Sequence, residues 1–68
     1  KPSEILPYVF DDSFFEQDLA LQKDQVVGFL EFIDTQLKSS DLLKQSQQFM
    51  LIDYLIDKSK QYKKSQVP

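Results

Sequence analysis

The chain has 68 residues and a formal net charge of −3, and it contains no cysteine and no histidine. This length allows one small domain. The missing residue types exclude disulfide bonds and the usual structural zinc sites, and they remove the commonest nucleophile and general base. We therefore expect no enzymatic activity, no cofactor, no metal and no small-molecule substrate. A chain this short buries only ~60% of its unfolded surface, so association with another chain is the stabilising element that remains.

The charge and hydropathy patterns also argue against nucleic acid and membrane partners. The chain lacks arginine, which makes bidentate contacts to phosphate and guanine, and its net charge is negative. No apolar run approaches the ~20 residues of a membrane span, and the first ten residues lack the order of a signal peptide. We expect an intracellular protein, cytoplasmic or nuclear. The chain begins at Lys1 rather than at methionine, and we interpret it as a domain excised from a larger protein.

Residues 1–12 are predicted to form an extended apolar arm. Pro2 and Pro7 disfavour a continuous helix there, and each pushes the residue before it toward an extended backbone. A frayed chain end is the alternative, but the arm is too apolar for a free tail: it carries Ile5, Leu6, Tyr8, Val9 and Phe10. Its aromatic residues, together with those that follow, either recognise a partner or plug one end of the fold. This aromatic set is Tyr8, Phe10, Phe14 and Phe15.

A first helix is predicted over residues 13–38. Ser13 and Glu16 fit a capping box, in which the serine and the glutamate bond to each other's backbone amides. Apolar residues then recur every three or four positions, with Gln22 filling one gap, and this is the period of one helical face. They are Phe15, Leu19, Val26, Leu30, Ile33 and Leu37. A polar interruption at residues 22–24 makes a break there the alternative, with Asp24 as a second cap, but we prefer one continuous helix.

A second helix is predicted over residues 41–64, with residues 65–68 as a tail. Ser39 or Ser40 would cap it, and so short a connection makes the two helices antiparallel neighbours. Seven of the eight residues from Phe49 to Ile56 are apolar. A helix that is apolar nearly all round must be buried nearly all round, and one neighbouring helix can cover only one side.

We assign the two sides of the second helix to different neighbours. Leu42, Phe49 and Ile56 repeat every seven residues, so we place them in the seam with the first helix. Leu51, Leu55 and Tyr62 lie roughly opposite and are assigned to a partner chain. The full predicted interface is Tyr8, Phe10, Met50, Leu51, Tyr54, Leu55 and Tyr62. Leu30, Ile33, Phe49 and Ile56 are expected to be fully buried.

Charge is distributed unevenly along the chain. Residues 1–38 hold eight acidic residues against three lysines, a charge of −5, whereas residues 39–68 hold five lysines against three aspartates, a charge of +2. In an antiparallel hairpin the basic end, Lys58–Lys64, would return beside the acidic start of the first helix. These acidic residues are Asp11, Asp12, Glu16 and Asp18. Both groups also suit the helix dipoles, so we expect solvated charge pairs rather than a metal or nucleic-acid site.

The predicted fold is all-α, an extended arm followed by an antiparallel two-helix hairpin. Two such hairpins, paired through the second helix in coiled-coil fashion, would form a dimeric four-helix bundle that buries every apolar stripe. The predicted function is a non-enzymatic protein-interaction or scaffold module, in particular a dimerisation domain. The alternative is a stand-alone regulator, such as an inhibitor or an antitoxin-like protein that docks on an enzyme.

Overall fold

The structure, a computed structural model, describes residues 1–37 and 48–66. These two ranges are all-helical and contain no strand. In chain order the elements are helix α1 (Pro2–Val9), a π-helical turn (Phe14–Asp18), helix α2 (Lys23–Gln36) and helix α3 (Gln48–Ser65). The prediction of an all-α fold is confirmed. The predicted start of the second helix, its serine caps and Leu42 lie outside the described residues.

Helix α1 occupies the segment that was predicted to be an extended arm, so that prediction is wrong. Pro2 stands in the first turn, where a missing amide donor has no cost and its fixed φ suits the helix. Pro7 lies inside the helix and removes one hydrogen bond. The helix still continues until the Phe10 amide donates to the Leu6 carbonyl at 2.9 Å. Leu6 is fully buried, so tertiary packing outweighs the local preference of the prolines.

A residue of α2 caps the beginning of α1. The backbone amide of Ser3 donates to Asp34 Oδ1 at 2.9 Å. Amides in the first turn of a helix have no partner within the helix, and the side chain that normally satisfies them lies just before the helix. Here the cap comes from a residue 31 positions further along the chain. The Ser3 hydroxyl and amide beside Asp34 hold the pKa of that carboxyl below its usual value.

The capping box predicted at Ser13 does not form. Instead, Asp11 Oδ1 accepts hydrogen bonds from the Ser13 hydroxyl at 2.9 Å and from the Phe14 amide at 3.0 Å. These two bonds lower the pKa of Asp11. An aspartate that accepts from the third residue after it acts as an N-cap, so Asp11 takes the capping role that was predicted for Ser13. The carboxylate outcompetes the serine hydroxyl as acceptor because it carries a full negative charge.

The single helix predicted over residues 13–38 is broken, and the alternative break near residues 22–24 is observed. Leu19 ends the π-helical turn by donating its amide to the Phe14 carbonyl at 3.0 Å, and Ala20 has a positive φ of 55° that redirects the chain. The cap of α2 is Gln22 rather than Asp24. Gln22 is extended, and its amide donates to the Gln25 side chain at 2.9 Å.

α1 and α3 both pack against α2, and one core joins them. The prediction that Leu30 and Ile33 are buried is confirmed. The buried apolar residues are Leu6, Phe10, Phe14, Phe15, Leu19, Leu21, Phe29, Leu30, Ile33, Leu51, Leu55 and Tyr62. The Tyr62 ring lies between those of Phe29 and Phe32, at centroid distances of 5.9 and 5.7 Å.

Candidate protein-binding surface

The side of helix α3 that packs into the core is not the side that we predicted. Leu51, Leu55 and Tyr62, assigned to a partner, are buried in the chain's own core with exposures of 2%, 0% and 9%. Phe49, assigned to the seam with the first helix, is 86% exposed, and Ile56 is only partly buried. The core therefore follows the 51, 55, 62 side of the helix. Of the seven-residue repeat, Phe49 lies on the outside, whereas Ile56 packs against the edge of the core.

Two pairs of side chains make up what we call the outer face of α3: Phe49, Asp53, Ile56 and Lys60. Phe49, Asp53 and Lys60 are exposed. The four residues of the face are separated by four, three and four positions, which places them in one row along the helix. The row is apolar at Phe49 and Ile56. Asp53 places a negative charge between them, and Lys60 places a positive charge after them. The row therefore combines two apolar side chains with two opposite charges.

Met50 and Tyr54, both in the predicted interface, lie on the other flank of α3. Met50 is 60% exposed, and Tyr54 is partly buried. The Tyr54 hydroxyl is enclosed and has no hydrogen-bond partner within residues 1–37 and 48–66. Burial raises the pKa of Tyr54, because the phenolate form would lose its solvation. The Lys58 ammonium lies 5.6 Å from the centre of the Tyr54 ring.

The aromatic set at the N-terminus is divided between the surface and the core. Tyr8 is 92% exposed, and on the same helix Ile5 and Val9 are exposed too. Phe10 is buried and stacks on Phe14 with 4.1 Å between ring centroids. Of the two predicted interface residues in this segment, Tyr8 is therefore at the surface, whereas Phe10 belongs to the plug that closes the fold.

The basic end of α3 returns to the first half of the chain, but it does not form the predicted charge pairs. Lys63 Nζ donates to the Leu19 carbonyl at 2.9 Å and to the Ala20 carbonyl at 3.4 Å. In the described part of the chain, the one ion pair joins the Lys1 amino group to Glu4 at 3.9 Å. Carbonyls at the end of the π-helical turn have no partner of their own, so they accept the lysine in place of the nearby carboxylates.

The acidic segment borders a shallow open groove of about 320 Å³, lined by Asp12, Glu16, Lys23, Val26 and Val27. Residues 1–37 and 48–66 contain no group of three ligating side chains that could hold a metal ion. No helix within those ranges is long and apolar enough to cross a membrane. The more extensive apolar exposure is on α3 and α1, so these helices carry the candidate binding surface.

The fold and this surface define a small all-helical domain that exposes large apolar side chains. The chain belongs to the family described as "BamP, C-terminal domain", whose model matches residues 2–66. It is thus a small domain of a larger protein, and this membership fits a role in protein binding. No curated protein and no solved structure matches the chain.

Proposed function

We propose that this domain is a non-enzymatic protein-interaction module that binds through the outer face of α3. The observation that carries the proposal is the position of Phe49. Its ring is 86% exposed on a helix whose opposite side, at Leu51 and Leu55, already fills the core. Covering a phenylalanine side chain contributes ~1.5–3 kcal/mol, so a partner that packs against this face gains a large contact from one residue.

Several further features support an interaction role. Met50 and Tyr8 are also well exposed, so the apolar surface is not confined to one side chain. Phe49 and Met50 are neighbours on α3, and an exposed apolar patch on a small domain is typical of a protein-binding site. The family describes C-terminal domains, which favours a module of a larger protein over the stand-alone regulator. Dimerisation is the form of interaction that we favour, with a four-helix bundle as its simplest outcome.

A pair of neighbouring substitutions tests the proposal. Phe49→Asp and Gln48→Asp place the same charge on the first turn of α3, and both positions are exposed. Only the first removes the apolar side chain. In the full-length protein, measured by light scattering after gel filtration, we expect Phe49→Asp to lower the mass of the assembly and Gln48→Asp to leave it unchanged. Equal masses for the wild type and Phe49→Asp at all concentrations would contradict the proposal.

A further inference from the structure

The outer face of α3 carries one negative and one positive residue, so it could pair with a copy of itself. The inference rests on the proposed function, because it concerns the same surface. We propose that the partner is a second copy of this chain, that the two α3 helices pair antiparallel, and that the twofold axis passes close to Ile56. The row Phe49, Asp53, Ile56 and Lys60 has the four–three–four spacing of a helix–helix seam.

The charges on this row argue for the antiparallel direction. Asp53 precedes Ile56 by three residues and Lys60 follows it by four, so they lie about 5 and 6 Å away along the helix axis, on opposite sides. In a twofold pair, residue i of one copy meets residue j of the other, and j meets i. An antiparallel pair centred near Ile56 therefore sets Asp53 against Lys60 twice. A parallel pair would set like charges against each other.

The same axis covers the most exposed ring. Counting outward from Ile56, Phe49 of each copy lies beside the last turn of the other α3, near Lys64. A lysine stem can lie along an aromatic ring while its ammonium stays in water, and the cation can also lie over the ring face. Lys64 is exposed, whereas its neighbour Lys63 already donates to the Leu19 carbonyl. The pairing thus removes Phe49 from water without displacing an existing contact of Lys63.

Engineered cysteines distinguish the possible arrangements, since the chain has none of its own. In the full-length protein under mild oxidation, with cross-linked peptides identified by mass spectrometry, Ile56→Cys should cross-link to itself. Asp53→Cys mixed with Lys60→Cys should give roughly tenfold more cross-linked product than Asp53→Cys alone. Gln61→Cys is the control, because it is exposed on the same helix but away from the row.

Two results would overturn the antiparallel pair. One is efficient self-cross-linking of Asp53→Cys, which indicates parallel helices. The other is no more cross-linking of Ile56→Cys than of Gln61→Cys, with circular dichroism showing that both variants are folded. If that second result accompanies a lower assembly mass in Phe49→Asp, the surface still binds a second copy, and only the antiparallel arrangement is wrong. If Phe49→Asp has no effect, the proposed function itself fails.

Discussion

Gly28 of α2 faces the hydroxyl of Tyr62 of α3 so closely that a Cβ atom built on the glycine collides with that oxygen. The φ of Gly28 is negative, so the glycine is not required for backbone conformation. Its missing side chain leaves room for the Tyr62 hydroxyl. The same residue weakens α2 locally, since glycine in a helix interior costs ~1 kcal/mol relative to alanine.

Gly28→Ala should therefore destabilise the domain, although alanine is the better helix former. Overpacking typically costs ~1–3 kcal/mol, which exceeds the helix-propensity gain, so we expect a net loss of about 1 kcal/mol in the free energy of unfolding. Denaturant titration measures it. In a Tyr62→Phe background the nearest colliding atom is absent, and Gly28→Ala should become neutral or stabilising there. An identical loss in both backgrounds would show that the contact is not the cause.

The burial pattern of α3 predicts that a lysine introduced on the buried side and one introduced on the exposed side have different effects. Leu55 is fully buried, so Leu55→Lys places an unpaired charge in the core and should abolish the fold. Phe49→Lys places the same charge at an exposed position and should keep the helical content, measured by far-ultraviolet circular dichroism. Loss of helix in Phe49→Lys alone would restore the assignment made from the seven-residue repeat.

Sequence patterns succeed where only one face of a helix is apolar. In α2 the spacing of Leu30 and Ile33 identifies the buried side, because the exposed side of that stretch is polar apart from Val27. In α3 the pattern fails, since residues on both sides are apolar and periodicity cannot say which side meets the core. The buried side is visible only in the three-dimensional packing, in which Tyr62 contacts Phe29 and Phe32 of α2.

Helix α1 and its cap could not be predicted for a related reason. Pro2 and Pro7 favour an extended segment by local preference. Lys1, the residue before the helix, provides no capping side chain. The stabilising groups, Asp34 and the core around Leu6, come from distant positions and become adjacent only after folding. Of the candidate site, exposure of Tyr8 and Met50 agrees with an interface position. The placement of Leu51, Leu55 and Tyr62 in the core required the three-dimensional packing.

The enclosed hydroxyl of Tyr54 makes a third prediction. A buried polar group without a partner costs ~1–3 kcal/mol, so Tyr54→Phe should raise the free energy of unfolding by about 1 kcal/mol. Tyr8→Phe, at an almost fully exposed position, is the control and should change nothing. If Tyr54→Phe is destabilising in denaturant titration, the hydroxyl has a partner in the folded protein.

Tyr54 also makes stability depend on alkaline pH. Its pKa is raised by burial, so the folded state retains the phenol proton at pH values where the unfolded chain has lost it. The stability that this proton contributes is fully present below the unfolded pKa of ~10. It is lost as pH rises through the folded pKa. Comparing melting temperatures between pH 9 and 11, Tyr54→Phe should lose less stability than the wild type. Parallel pH profiles for the two proteins would contradict this.

The cap that Asp34 provides for α1 makes the last prediction. The pKa of Asp34 is lowered by Ser3, so the carboxylate stabilises the fold at pH values above its unfolded pKa, and this contribution is lost as pH falls through the folded pKa. Asp34→Asn keeps an acceptor oxygen but no charge, and should flatten the acid side of the stability profile. Asp34→Ala removes the acceptor too, and should lower the melting temperature by a few degrees at neutral pH.

Hydrogen exchange locates the effect of these Asp34 substitutions. The amides of α1 should exchange faster in Asp34→Ala than in the wild type, while those of α3 change less, since the lost bond holds only α1 to α2. Glu31→Ala is the control, because it removes an exposed carboxylate from the same helix. If Glu31→Ala and Asp34→Ala accelerate exchange in α1 equally, the effect comes from the charge of α2. The hydrogen bond to Ser3 would then not be the link between the two helices.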